Sequence, residues 1–218
     1  MRAQPQVKFR GPRPEGTIRP CGATPSPPAA TLVGDLMASQ VKHGVPMANP
    51  AFVRQLALNA LAEARITQPP VDLDDLAAAR ALRIERNALL PIGVRAVFQG
   101  EMGVIRVIAL PPRVERFPVA HELGHAILGD GGRACTEAMI EGFAEPVSLA
   151  DAVAEFNPEA TASAIAGNLL VPGPWLRRAV VKEGRSPAEL ENIFDVTRSV
   201  LWIALDREGL VKKLGRRP

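Results

Sequence analysis

Tyrosine is missing altogether from this chain of 218 residues, and aromatic residues make up only 4% of it. A core must therefore be built from aliphatic side chains and alanine, with Phe and Trp as its few large rings. The hydrophobic content of 47% is ample for that. Cysteine is nearly missing too. Cys21 and Cys135 fall in different segments, which excludes the disulfide framework of a small secreted domain. No C-x-x-C occurs, so zinc–thiolate chemistry is not expected; Cys135 alone is a candidate fourth or inhibitory metal ligand, set against the ordinary role of a small hydrophobe. No apolar run approaches the ~18 residues of a membrane span. Arg2, Lys8, Arg10 and Arg13 are followed by no apolar stretch, so no secretory signal is expected, and a soluble cytoplasmic protein is the simplest reading. The net charge of +3 and pI near 9.2 are too mild to mark a nucleic-acid binder by themselves.

Histidine is also scarce, with three in the chain, yet two of them stand in His121-Glu122-Leu123-Gly124-His125. On a helix, positions i and i+4 share a face one turn apart. Two imidazoles so placed can meet one metal ion, and the adjacent Glu122 is set to take a proton from an attacking water. The surroundings read as a helix. Pro118 suits its first turn, Val119, Leu123 and Ile127 make an apolar back face, and Gly129 stops it. Gly124 leaves room for another element to approach closely.

A catalytic zinc needs three protein ligands. An extended histidine motif would require His at position 131, which is Gly131, and His43 lies far upstream in a Pro-rich stretch. A carboxylate is the expected third ligand, from among Glu137, Glu141, Glu145, Asp151, Glu155 and Glu159. Glu159 is preferred, because Asn157-Pro158 reads as N-cap and N1 of a helix reaching about Leu170, ended by Pro172-Gly173-Pro174. Ala162 and Ala166 beside it allow close packing on the His helix. Glu155 is the reserve.

Residues 1–47, rich in Pro and Arg, read as a disordered leader. A helix is expected over Phe52–Ile66 and stopped by Pro69-Pro70. Asp72 caps a second helix carrying Leu73, Leu76, Ala77 and Leu82. Gly93–Phe98 and Gly103–Leu110 read as a hairpin, one strand of which is expected to be an edge that holds a substrate backbone. Trp175–Val180 begins another helix. Ser186-Pro187 then opens a short helix, and Asp195-Val196-Thr197 turns into a second, Arg198–Glu208. That is a helix-turn-helix plan. Thr197, Arg198 and Ser199 are candidate DNA-contacting residues, with Lys212, Lys213, Arg216 and Arg217 available to phosphates. Simple packing of this helix pair on the core is the competing reading.

Three ordered segments resemble the ImmA/IrrE family of zinc metallopeptidases. They are Pro69-Pro70-Val71-Asp72-Leu73, then Arg116-Phe117 ahead of His121-Glu122-Leu123-Gly124-His125, then Glu159 through Pro172, where Ser163, Ile165 and Val171 stand for the family's Asn, Phe and Met. The resemblance spans about residues 50–210. It implies an α+β, zincin-like metallopeptidase core over 48–180 with a small β-sheet, and a helix-turn-helix-like helical segment with a basic tail over 181–218. It further implies His121, His125 and Glu159 as metal ligands and Glu122 as catalytic base. Zn²⁺ is the expected metal, although imidazole–carboxylate sites also accept Mn²⁺ or Fe²⁺. The substrate it implies is a partner protein, a helix-turn-helix repressor in mobile-element or stress and DNA-damage control. A DNA-binding or repressor-sequestering regulator with a sensing core is the alternative. With no Tyr, the oxyanion donor falls to Arg133 or a backbone N–H.

Overall fold

A computed structural model describes residues 49–129, 134–136 and 158–214, with backbone alone for 134–136. The leader, Cys21, His43, Arg133, Glu137, Glu141, Glu145, Asp151, Glu155, Asn157, Arg216, Arg217 and the side chain of Cys135 lie outside the described residues.

The class is α+β. In chain order the elements are α1 (Pro50–Glu63), α2 (Leu73–Ala78), β1 (Arg83–Glu85), β2 (Val94–Gln99), β3 (Val104–Val107), α3 (Pro112–Leu128), β4 (Ala134–Thr136), α4 (Pro158–Leu170), α5 (Gly173–Arg177), α6 (Pro187–Phe194) and α7 (Arg198–Arg207). α1 buries Val53, Leu56, Ala57, Ala60 and Leu61, an i, i+3, i+4, i+7 stripe. It ends before Pro69-Pro70 because Arg65 turns left-handed (φ 57) and Ile66 N–H reaches back to Leu61 O at 2.9 Å. α2 begins as expected, with Asp72 accepting from Asp74 N and Asp75 N. It stops at Ala78, so Leu82 lies beyond it.

β2 and β3 form the expected antiparallel hairpin, but two further strands flank them, in the order β1-β3-β2-β4. β1 runs parallel to β3 and β4 antiparallel to β2. Neither hairpin strand is therefore an edge; among the described residues β1 and β4 hold those positions. The expected substrate-holding edge is corrected accordingly. Both added strands are three residues long, too short for alternation to show in the sequence.

α3 lies across β2 and β3 and packs most extensively on α4. It starts at Pro112, not near Pro118, which sits in its interior. Pro112 takes the N1 position that suits proline, and the helix tolerates the one backbone bond that Pro118 cannot donate. Gly129 ends it with φ 72, as its position implied. One apolar cluster runs from Val53 to Leu210. It is alanine-rich, with Ala57, Ala60, Ala120, Ala162 and Ala166 at 0–1% exposure, as a chain without Tyr requires. No helix among the described residues is long and apolar enough to cross a membrane.

Candidate metal centre

Val119, Leu123 and Ile127 are buried in the core, and this fixes the rotation of α3. The opposite face, carrying His121, Glu122 and His125, turns toward α4 and the sheet. α4 comes close enough to meet it because residue 124 has no side chain. An added Cβ at Gly124 would stand 2.6 Å from Ala162 O and 2.9 Å from Ala162 Cα. Ala162 is one helical turn beyond Glu159, so this backbone contact brings the Glu159 carboxylate over the two imidazoles.

The three donors form a near-equilateral triangle. His121 Nε2 and His125 Nε2 are 3.1 Å apart, and each is 3.2 Å from Glu159 Oε2. Both imidazoles are fully buried and the Glu159 side chain is 15% exposed. Hydrogen bonds alone satisfy such a triangle poorly. Each neutral ring has one N–H, and two N–H groups aimed at one oxygen would leave their nitrogens in repulsive contact. A cation at the centre suits all three. Donors ~2.0–2.1 Å from a tetrahedral ion stand roughly 3.3 Å from one another, close to the separations present here. His121, His125 and Glu159 can thus hold a metal ion.

Two supporting groups escaped the sequence reading. Ser163 Oγ lies 2.8 Å from His121 Nδ1 and is buried. With a metal ion on Nε2, Nδ1 would carry the proton and donate to Ser163, which would fix the ring's tautomer and tilt. Ser163 follows Glu159 by four residues, so helical spacing alone puts it on the ligand's face. The second group is the backbone N–H of Phe98, which donates to Glu122 Oε2 at 2.8 Å. Arg95 O accepts from Ile108 N, so strand alternation gives Val97 and Gln99 to β3 and turns the Phe98 N–H the other way. The described β4 pairing ends at Val97–Ala134, one residue short of Phe98. The carboxylate takes the donor that a longer β4 would have used. No sequence signal announces this.

The C-terminal helix pair has the expected order. Ser186 and Glu189 form a capping box at the start of α6, and Asp195 turns with φ 50. α7, however, is largely a core helix. Leu201, Trp202, Ala204 and Leu205 are buried, leaving Arg198, Ser199 and Asp206 as its exposed residues. Arg198 is engaged with Glu191 at 3.6 Å, and Thr197 Oγ1 lies 3.3 Å from Ser199 Oγ. The turn is tied to α3, since Arg113 donates to Asp195 at 3.2 Å and to Asn192 at 3.1 Å. Arg116 stands 3.7 Å from Asp195 and donates to Val71 O at 2.7 Å. Burial lowers the Arg116 pKa, against the carboxylates of Asp195 and Asp72, which raise it.

Comparison of the chain with protein-family models and with curated proteins finds no match.

Proposed function

We propose that this protein is a zinc-dependent metallopeptidase of zincin-like architecture, resembling the ImmA/IrrE family, that cleaves a partner protein. The observation that carries the reading is the His121–His125–Glu159 triangle, with a second buried carboxylate, Glu122, next to His121 in the chain and clamped by the Phe98 backbone N–H. Burying a carboxylate costs several kcal/mol unless a partner group or a proton offsets it; the Phe98 N–H is such a partner, and the base role of Glu122 rests on its place in the H-E-x-x-H motif.

A zinc ion bound there supplies Lewis acidity, polarising a carbonyl and lowering the pKa of water to about 7. The remaining work falls to the chain. Ser163 keeps His121 in the tautomer whose Nε2 is a ligand. The Phe98 N–H fixes the plane of the Glu122 carboxylate. Glu122 accepts a proton as water attacks the scissile carbonyl and returns it to the departing amine, so C–N cleavage is balanced by one C–O bond and one transferred proton. The resemblance directs the substrate to a helix-turn-helix repressor. The buried face of α7 favours packing over DNA readout as the role of the C-terminal helices.

The test is co-expression of the protein with any helix-turn-helix repressor found encoded beside its gene, followed by intact-mass measurement. Wild type should yield two fragments of the partner. Glu122→Gln should retain one metal per chain and leave the partner whole. Undiminished cleavage by Glu122→Gln would refute the mechanism.

A further inference from the structure

A second cluster of charges lies apart from the metal centre, at the far end of α4. Glu208, which caps α7, has a side chain with 0% exposure. Three guanidinium groups from three elements reach it: Arg54 of α1 at 3.4 Å, Arg177 of α5 at 2.7 Å and Arg207 of α7 at 3.2 Å. Two glycines make the floor. A Cβ at Gly173 would stand 2.5 Å from Glu208 Oε1, and one at Gly167 would stand 3.3 Å from Arg207 Nη1. Arg207 is anchored further by donating to Val171 O at 2.8 Å.

The charges do not balance. One carboxylate faces three cations, and among the described residues no other carboxylate pairs with Arg54, Arg177 or Arg207. Among the described residues two positive charges are left over. The crowding has an electrostatic signature. Burial lowers the pKa of Arg207, Glu208 raises it, and the neighbouring Arg54 cation lowers it again. A purely structural lock for Glu208 would need one such partner, or two. The surplus also faces outward, with the Arg177 side chain 54% exposed and that of Arg54 39% exposed. Arg54 Nε is buried with no hydrogen-bond partner.

We propose that Arg54, Arg177 and Arg207 form a binding site for a dianionic phosphate group, either free inorganic phosphate or a phosphate monoester. Guanidinium forks match phosphate oxygens two at a time, and a charge near −2 cancels the surplus. Glu208 serves as the buried post that gathers the three arginines. This inference does not depend on the peptidase reading, because the cluster shares no residue with the metal centre.

The experiment is thermal unfolding of the full chain at pH 7.5 in EDTA, which keeps phosphate from acting through a metal. Inorganic phosphate and adenosine monophosphate are titrated separately against chloride of equal ionic strength. A ligand at ten times its Kd should raise the Tm by about 3–5 °C, with saturation at millimolar concentration. Phosphate also stabilises proteins by exclusion from their surface, but that effect does not saturate at such concentrations. Arg54→Gln with Arg177→Gln should abolish the saturable part. A response to phosphate alone assigns free phosphate as the ligand, and a stronger response to the nucleotide assigns a monoester. A rise no greater than that in chloride, or an equal response in the double variant, overturns the proposal. Should the double variant fail to fold, the wild-type titration decides alone, since a shift that never saturates also overturns it.

Discussion

A single methyl group added at position 124 should uncouple the two helices that hold the metal ligands. In Gly124→Ala the new Cβ would stand 2.6 Å from Ala162 O, where an ordinary carbon–oxygen contact needs about 3.4 Å. The obstacle is backbone and cannot swing aside as a side chain would. α3 and α4 must therefore separate locally by roughly 0.8 Å, the difference between those distances. Glu159 stands one turn before Ala162 on the same rigid helix, so its carboxylate withdraws from the imidazoles by a similar amount. Ligand distances tolerate only about 0.2 Å, so metal affinity should fall by ~100-fold or more. Overpacking of this kind costs about 1–3 kcal/mol, which lowers the Tm of the metal-free protein by roughly 4–8 °C for a mid-range value. Chelator competition reads the first effect and thermal unfolding in EDTA the second. A variant that holds metal as tightly as wild type and melts within ~1 °C of it would show that the close approach at Gly124 does not set the ligand geometry.

Three further outcomes are expected. Ser163→Ala should weaken metal binding by about 10–100-fold and lower the metal-free Tm by about 2–4 °C, since it removes a buried hydrogen bond to His121 Nδ1 worth about 1 kcal/mol, and Ser163→Thr should restore most of the affinity; chelator competition and thermal unfolding of both variants check this. Glu208→Ala should cost roughly 3–5 kcal/mol in urea unfolding, because it leaves Arg54, Arg177 and Arg207 crowded without a counter-charge. Backbone and side-chain hydrogen bonds from Ser186, then the Arg185 guanidinium, hold the Glu189 carboxyl below its usual 4.5. Its folded pKa is the lower one, so its contribution is present above that usual value and is lost as pH falls through the folded value. Melting curves between pH 6 and pH 3 should show this loss in wild type and not in Glu189→Gln.

The three residues that can hold a metal ion were legible because each rests on short-range rules. His121 and His125 are one turn apart, Gly129 closes their helix, and Pro158 opens the helix that carries Glu159. Caps such as Asp72 and Ser186 were legible for the same reason, since a side chain and a backbone N–H two or three residues on decide them. What the sequence hid depends on pairing over long separations. β1 and β4 are too short to show alternation and exist because β2 and β3 offer open ladders. Phe98 acts through a backbone group that every residue type except proline possesses, so only strand register reveals it. Pro118 pointed to a helix start because proline in a helix interior is unfavourable. Here the packing of Phe117, Val119 and Ala120 into the core carries the helix through it. Arg54, Arg177, Arg207 and Glu208 are spread over more than 150 positions of sequence, and no local pattern joins them.

The C-terminal helices follow a helix-turn-helix plan and also pack on the core. Helix, short turn and helix stand where a DNA reader would have them, but a recognition helix must offer one face to a groove. α7 spends most of its surface inward. Its first turn offers Arg198 and Ser199 to solvent, while Leu201, Trp202 and Leu205 fill the core. The ends of the pair are tied to the rest of the fold. Asp195, in the turn, meets Arg113 and Arg116 on the helix that carries His121 and His125. Arg207, at the far end, meets Val171 O just beyond the helix that carries Glu159. The pair thus grips α3 at its start and α4 at its end. Separation of those two helices would break the ligand triangle, and the contacts of α6 and α7 oppose that motion. Their geometry therefore argues for a brace on the metal centre before it argues for a reader of DNA.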